Sequence, residues 1–233
     1  MSSTLANART IPKLASGDRL TRDEFERRYT AMTHVKKAEL IDGEVYMPPA
    51  VTIDHAEPHA ILIGCFIQYW FATLEVTVGD NATVRLDDRT EPQPDVSMFV
   101  RPEFGGRVAF VDSYIDGAPD LVAEIATTTA SIDLNRKMLA YQRNGVTEYI
   151  VWRTHDEAID WFLLCDGLFV RQQPDAHGIH KSIAFPGLWL NATALLQGDR
   201  QALLETLVRG IHSDEHARFI NGLRQKRNEV GTP

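Results

Sequence analysis

The sequence predicts an α/β protein with a mixed, partly parallel β-sheet flanked by helices. Residues 120–153 read in succession as a strand, a helix and a strand, which is the pattern of a βαβ crossover between parallel strands. Other short apolar runs are joined by tight turns, and these indicate antiparallel hairpins. The 233 residues suffice for one such domain with a full core, or for a domain plus a small appendage.

The first part of the chain predicts two helices and a hairpin. Residues 1–19 read as a flexible arm, and Thr21 with Glu24 forms a capping box that opens a short amphipathic helix. The Asp-Gly pair at 42–43 predicts the turn of a hairpin. The apolar run at 55–76 predicts a long buried helix.

The middle of the chain supplies the strands. Apolar runs predict them at 82–86, 95–100, 120–126 and 146–153. The helix between the last two has Ser131 as its predicted N-cap and Gly145 just past its end. Residues 157–172 predict a further hairpin, and residues 199–228 predict one or two helices outside the sheet. We therefore expect three parts, namely the arm 1–19, a main domain 20–197 and a C-terminal helical extension 198–233.

Composition and charge narrow the classes of function. The net charge of −8 argues against a general nucleic-acid coat or a membrane-surface protein, both of which show a basic excess. A metal-dependent nuclease stays compatible, because its active site is itself acidic. Cys65 and Cys165 lie in apolar surroundings and read as free thiols of a reducing compartment. No signal-peptide pattern or membrane span is evident, so we expect a cytoplasmic protein without membrane contact.

Two carboxylates interrupt predicted core strands. Asp95 follows a proline at the start of one strand, and Glu124 lies inside the run LVAEIA of another. If the sheet follows chain order, these strands are neighbours about 4.8 Å apart. The two carboxylates would then repel each other unless a proton or a cation intervened. Oxygen ligands suit Mg²⁺ or Mn²⁺, and the backbone carbonyl of Ile125 could add one more ligand.

One face of the following helix carries three polar side chains. Asp133, Lys137 and Tyr141 are spaced i, i+4, i+8. A helix that packs back on the strand it left could aim Lys137 toward Glu124, where an ammonium group would orient water or offset phosphate charge. Simpler interpretations stay open at this point: Asp95 could shape a turn, Glu124 could face water, and Lys137 could be solvated.

The ordered motifs resemble a known family. ELIDGEVYMPPA is followed by a histidine near the start of the long helix, then by QPDVSMF, GAPDLVAEIA, DLNRKMLAYQRNGVTEYIVW and FPGLWL. Over roughly residues 20–197 this series is similar to the Uma two family of restriction endonucleases, a branch of the PD-(D/E)xK superfamily. The resemblance implies a restriction endonuclease-like fold and an Mg²⁺- or Mn²⁺-dependent endonuclease that acts on nucleic acid, with DNA favoured.

The resemblance also implies a set of site residues. The catalytic candidates are Asp95, Glu124 and Lys137, with Glu39 and His59 as possible additions. The metal candidates are Asp95, Glu124, the Ile125 carbonyl and Glu39. In the superfamily pattern a lysine stands two residues after the second carboxylate, where this chain has Ala126. The resemblance implies that Lys137 replaces that lysine from the following helix.

Two other functions stay open. Ala126 and the acidic charge also fit a nuclease-fold protein that binds nucleic acid without cutting it. The apolar stripe of LLETLVRGI must be buried on this chain or on a partner, and a partner would indicate an interaction module. In the loop 101–114, Arg101 and Arg107 could contact phosphates. Cutting two strands needs two sites, so the resemblance also implies a homodimer.

Overall fold

The computed structural model describes residues 11–127 and 129–230. Its helices are α1 (Arg22–Thr30), α2 (Ile53–Ala72), α3 (Ala130–Ile132), α4 (Met138–Arg143), α5 (Ala192–Gln197), α6 (Arg200–Ile211) and α7 (Asp214–Val230), with a π-helical turn at Asp133–Lys137 and a 3₁₀ turn at Pro102–Phe104. Its strands are β1 (Glu39–Ile41), β2 (Glu44–Tyr46), β3 (Val76–Asp80), β4 (Val84–Arg85), β5 (Val96–Val100), β6 (Ala109–Val111), β7 (Tyr114–Asp116), β8 (Leu121–Ala126), β9 (Glu148–Arg153), β10 (Ala158–Cys165), β11 (Leu168–Gln172), β12 (Ile179–Lys181) and β13 (Trp189–Asn191).

The main sheet is mixed, as the sequence predicts. Its six strands lie in the order β11-β10-β9-β8-β5-β3. Strands β8 and β9 pair in parallel, and the other described pairs of this sheet are antiparallel. The predicted βαβ crossover is therefore confirmed, with the helical stretch from α3 to α4 between its two parallel strands.

Strands β5 and β8 are neighbours, and their register positions the two carboxylates. Val96 pairs with Ala123, so the next position along this antiparallel ladder brings Asp95 beside Glu124. Because side chains alternate between the faces of a sheet, both carboxylates lie on the face opposite to Val96 and Ala123. The register thus makes one site from two residues that are distant in sequence.

Helix α2 covers one face of the sheet and forms most of the core. Its Leu62, Phe66 and Tyr69 are fully buried against the strands. Helix α6 joins the same core through Leu203 and Leu207. Burying each side chain of this size contributes about 1.5–3 kcal/mol, so these contacts stabilise the packing of α6 on the core. The other face packs under the helical stretch, where Val122, Ala126, Tyr149 and Val151 of the strands form a cluster with Tyr141 of α4.

Two predicted boundaries in this region are wrong. Helix α2 ends at Ala72, whereas the apolar run predicts helix up to residue 76. The Thr73 hydroxyl donates to the carbonyl of Tyr69 at 2.8 Å, and Val76 opens the edge strand β3 instead. The predicted strand at 82–86 shortens to Val84–Arg85 and belongs to a small sheet with β7 and β6. Because the run is apolar over both the end of α2 and the start of β3, hydrophobicity alone does not show where the helix changes to a strand.

The predicted turns are confirmed, but the predicted caps are wrong. Asp42 and Gly43 both have positive φ between β1 and β2, as does Gly145 after α4. Thr21 occupies the N-cap position of α1 without a side-chain cap bond, and the Glu24 carboxylate, which would complete a capping box, accepts from two arginines of that helix instead. The other predicted N-cap, Ser131, lies inside α3, which begins one residue earlier.

Both ends of the described chain pack on the main domain. Of the predicted flexible arm, residues 1–10 lie outside the described residues, while Leu14 is buried against the β1–β2 hairpin. The apolar stripe of α6 is buried within this chain, and α7 is tied down by an Arg224–Glu75 ion pair at 2.6 Å. The division at residues 19 and 197 stays a prediction. Across the described ranges, no helix is long and apolar enough to cross a membrane.

Candidate active site

A cleft of about 830 Å³ opens at the end of β8, between the β1–β2 hairpin, the start of α2 and the π-helical turn. Its lining contains the sequence-predicted residues Glu39, His59, Asp95, Glu124, Ile125 and Lys137. The carboxylates and the lysine are almost fully buried, with exposed fractions of 2% for Asp95, 3% for Glu124 and 5% for Lys137. The ionisable groups therefore form the floor of the cleft.

Lys137 connects three carboxylates at this floor. Its Nζ lies 2.9 Å from Oε1 of Glu124, 3.0 Å from Oε1 of Glu39 and 3.7 Å from Oδ1 of Asp133. The Tyr141 hydroxyl also donates to Oε1 of Glu124, at 2.9 Å. Two donors thus fix the orientation of Glu124 from the same helical stretch, as the i, i+4 spacing of Lys137 and Tyr141 allows.

A π-helical turn at Asp133–Lys137 lies where the helical stretch faces the carboxylates. A π turn widens the backbone by one residue, and such turns occur frequently at functional sites. A side chain from outside the helix bonds to this widened backbone: the Tyr149 hydroxyl donates to the carbonyl of Asp133 at 3.0 Å. The Thr129 hydroxyl donates to the Asp133 side chain at the start of the same stretch. These bonds hold the helix face in its position over β8.

Asp95 is held by groups from three other parts of the chain. Its Oδ2 accepts a hydrogen bond from the backbone N–H of Ile125 at 2.7 Å and lies 3.2 Å from Nε2 of His55. Its Oδ1 lies 3.6 Å from Nζ of Lys37. Although burial alone would raise the pKa of Asp95, His55, Lys37 and the Ile125 N–H hold it below its usual range. His59 contacts the backbone carbonyl of Asp95 at 3.0 Å.

The other carboxylates of the floor repel one another. Burial raises the pKa of Glu124, the carboxylates of Asp133, Asp95 and Glu39 raise it further, and Lys137 offsets only part of this. Burial likewise raises the pKa of Asp133. Burial alone would lower the pKa of Lys137, but the three carboxylates around it raise it well above its usual value. Lys137 is therefore a fixed cation.

The floor of the cleft is rich in carboxylate oxygens. Four carboxylates, Glu39, Asp95, Glu124 and Asp133, outnumber the neighbouring cationic groups even when His55 is counted with the two lysines. Both described donors to Glu124 end at Oε1, which leaves Oε2 for a cation, and such oxygens suit Mg²⁺ or Mn²⁺. Within residues 11–127 and 129–230, however, no three His, Cys, Asp or Glu side chains are already arranged to hold a metal ion. Lys137 lies between Glu39 and Glu124 instead.

Comparison with known proteins places the chain in a family. Residues 22–193 match Uma2, the Uma two family, whose description is "Putative restriction endonuclease". The chain belongs to this family. A crystal structure of a putative nuclease belonging to DUF820 from Anabaena variabilis is similar in fold, with a TM-score of 0.57 and 14% sequence identity over 73% of this chain and 96% of that chain. No curated protein matches the chain.

In this Uma2 chain, Ala126 stands where the superfamily pattern has a lysine. Side chains at 124 and 126 point to the same face of β8, where Ala126 is buried in the apolar cluster under α4. The ammonium group on this face comes from Lys137 of the covering helix, at 2.9 Å from Glu124. That Lys137 replaces the lysine of the superfamily pattern stays a prediction.

Not every predicted site residue of this Uma2 chain lies in the cleft. Arg107 bonds to Asp120 and to the carbonyl of Gly145, and Arg101 pairs with Glu103. Neither arginine lines the cleft, so their contact with phosphates stays a prediction without geometric support. Ile125 does line the cleft, and its described contact with Asp95 is made by its N–H, so its carbonyl as a metal ligand stays a prediction.

Three cleft residues were missed from the sequence as parts of the site. Asp133 was noted only for its helix face, and His55 and Lys37 were not considered. His55 stands four residues before His59 on α2, and this i, i+4 pair was the available signal. Lys37 precedes β1 and reaches Asp95 only through the fold, so no pattern in the sequence indicates its role.

Proposed function

We propose that this chain is a divalent-metal-dependent endonuclease that hydrolyses phosphodiester bonds in nucleic acid, with DNA as the favoured substrate. The observation that carries the proposal is the buried group of Lys137, Glu39 and Glu124 beside Asp95 at the floor of a cleft. A purely structural ion pair needs one carboxylate for one lysine. Four acidic side chains at one point, facing an open cleft, favour a site that binds a cation and a phosphate.

Asp95, Glu124 and Glu39 would hold Mg²⁺ or Mn²⁺, together with the backbone carbonyl of Ile125. When bound, such a cation polarises a phosphodiester and lowers the pKa of water. The protein's own groups hold the ligands in place before the cation arrives: His55, Lys37 and the Ile125 N–H orient Asp95, and Tyr141 orients Glu124. This preorganisation limits the reorganisation needed during the reaction.

Lys137 supplies positive charge and does not act as a base. The surrounding carboxylates raise its pKa well above the usual value, so the ammonium form persists at neutral pH. An ammonium group at the cleft floor offsets the negative charge that develops on a phosphate oxygen during hydrolysis. Its tight packing against Glu124 and Glu39 keeps it in one orientation, which an exposed helical lysine would not have.

Cleavage of a labelled oligonucleotide pool, with and without added Mg²⁺ or Mn²⁺, tests the proposal. We expect cation-dependent cleavage that falls by about 100-fold or more in Glu124→Gln and in Asp95→Asn, as for other preorganised charged groups. Glu103→Gln is the matched control, because this glutamate is 43% exposed and pairs only with Arg101. Cleavage that survives both site substitutions, or that resists a chelator, would contradict the assignment.

The structure bears differently on the two alternative functions. The interaction module loses its sequence argument, because the α6 stripe is buried on this chain through Leu203 and Leu207. A nucleic-acid binder that does not cut remains the second candidate on the strength of Ala126, and it predicts binding that is indifferent to Glu124→Gln. The predicted homodimer is tested by light scattering of the full chain.

A further inference from the structure

The reactive groups of this cleft lie deep. Asp95, Glu124 and Lys137 are each at most 5% exposed, so a phosphodiester must enter the cleft to meet them. The volume of about 830 Å³ falls in the range of about 300–1,000 Å³ that is typical of small-molecule sites. That volume suits a few nucleotides of one strand. An intact duplex, with two backbones around paired bases, does not match a site of this size.

One wall of the cleft is apolar. The segment 47–52 follows β2 and contributes Met47, two consecutive prolines, Ala50 and Val51 to the lining. Val51 is 69% exposed, and the ring of Tyr46 adjoins the same segment. Unpaired bases present faces that pack on aromatic and apolar side chains, whereas the outside of a duplex presents mainly phosphates and sugars. The wall therefore fits exposed bases.

The cleft has few cations for a duplex backbone. Among the lining residues that the structure describes, the basic side chains other than histidine are Lys36, Lys37 and Lys137, and none is an arginine. Arginines near the rim are already paired within the chain, such as Arg136 with Glu44 at 2.7 Å. Proteins that follow a duplex backbone neutralise about 6–10 phosphates. Lys37 pairs with Asp95 at 3.6 Å, so Lys36 and the floor residue Lys137 remain for phosphates, which is enough for a short single-stranded segment only.

We propose that the cleft binds single-stranded nucleic acid, including unpaired ends and flaps, and excludes intact duplex. This inference rests on the proposed nuclease function and specifies its class of substrate. The strand places one phosphate at the floor beside Lys137, while neighbouring bases pack on the 47–52 wall. Lys36 neutralises a phosphate at the entrance.

Fluorescence anisotropy of the full chain with labelled oligothymidylate, and with the same strand annealed to oligoadenylate, tests this proposal. Calcium is added to fill the cation site. We expect the single strand to bind at least about 10-fold more tightly than the duplex, as stacking on unpaired bases would give. The slope of log K against log salt should be shallow, about −1 to −2, because Lys36 and Lys137 are the two lysines that contact the single strand.

Val51→Asp should weaken binding of the single strand several-fold, because it puts a carboxylate on the wall that receives the bases. Val170→Asp is the matched control, since Val170 is 53% exposed on the edge strand β11 and does not line the cleft. Equal or tighter binding of duplex, absence of binding to either probe, or equal effects of the two substitutions would overturn the proposal. Cleavage of duplex at the same rate as of single strand would overturn it while leaving the nuclease function standing. Tight single-strand binding without any cleavage would support it and count against the nuclease function.

Discussion

Lys137 is the residue on which the buried charges of the site depend. Three carboxylates, Glu39, Glu124 and Asp133, lie within 3.7 Å of its ammonium group. Removing one partner of a buried ion pair leaves the other charge without compensation, at a cost of about 3–5 kcal/mol. The lysine therefore stabilises the fold as well as the proposed chemistry.

Lys137→Met should lower the free energy of unfolding by about 3–5 kcal/mol in the absence of divalent cations, because the carboxylates lose their buried counter-charge. Urea denaturation followed by circular dichroism measures this. Lys226→Met, at an exposed position on α7, is the matched control and should change stability little. Equal stability of the two variants would mean that the carboxylates are neutral without Lys137.

His55 is expected to act by positioning Asp95. Its Nε2 contacts Oδ2 of Asp95 at 3.2 Å and lowers the pKa of that carboxyl more than any other single neighbour does. His55→Ala should therefore reduce metal affinity and cleavage by about 10- to 100-fold, the usual effect of losing an outer-shell partner. Titration of Mn²⁺ and cleavage rates measure the two effects, with exposed His34→Ala as the control. If the histidine variants behave alike, His55 has no part in the site.

At the scale of residues, the sequence pattern identifies charged side chains at positions where buried apolar side chains are expected. Asp95 and Glu124 stand out because they interrupt apolar strands, and Lys137 because it shares a helix face with Tyr141. His55 and Lys37 do not stand out in this way, because polar residues at a helix start and in a loop are ordinary. Only the approach of α2 and the β1–β2 hairpin to the end of β8 gives them a role.

At the scale of elements, the βαβ unit follows from its sequence, whereas the π-helical turn does not. A strand, an amphipathic helical segment and a second apolar strand permit one compact arrangement. The turn at Asp133–Lys137 depends on bonds to distant groups such as the Tyr149 hydroxyl. The end of α2 and the start of β3 were likewise hidden, because one apolar run serves a helix and then a strand.

Two glycines of the C-terminal helices differ in how closely other atoms approach them. A Cβ at Gly210 in α6 would lie 2.2 Å from the carbonyl oxygen of Gly187 and 2.8 Å from Cγ of Trp189, whereas at Gly222 in α7 nothing lies within 4 Å. Gly210→Ala should destabilise the protein by about 1–3 kcal/mol through overpacking. Gly222→Ala should stabilise it by up to about 1 kcal/mol, because alanine favours helix.

Thermal melts of the two glycine variants against the unmodified chain measure this difference. A single cooperative transition that shifts with Gly210→Ala shows that α6 unfolds with the sheet. An unchanged main transition in that variant would instead show that the C-terminal helices are a separate appendage, as the division at residue 197 supposes.

At the scale of the whole molecule, the net negative charge of the chain and the acidic residues of the cleft both disfavour the approach of a polyanion. A net charge of −8 repels long polyanions, so the proposed affinity for nucleic acid requires the proposed cation and a few local contacts. The class of fold and the pairing of β5 with β8 were predictable from the sequence. The depth of the cleft was not, because it arises where the hairpin, α2 and the π-helical turn meet around the strand end.

The central claim is that the carboxylates at the cleft floor bind a divalent cation, and calorimetric titration with Mn²⁺ tests it most directly. The intact chain should bind Mn²⁺ with a dissociation constant in the micromolar to millimolar range, and Glu124→Gln should weaken this at least about 10-fold. Glu103→Gln should leave the affinity unchanged. Absence of binding to the intact chain, or equal binding to the Glu124→Gln variant, would contradict the account and assign these carboxylates to Lys137 alone.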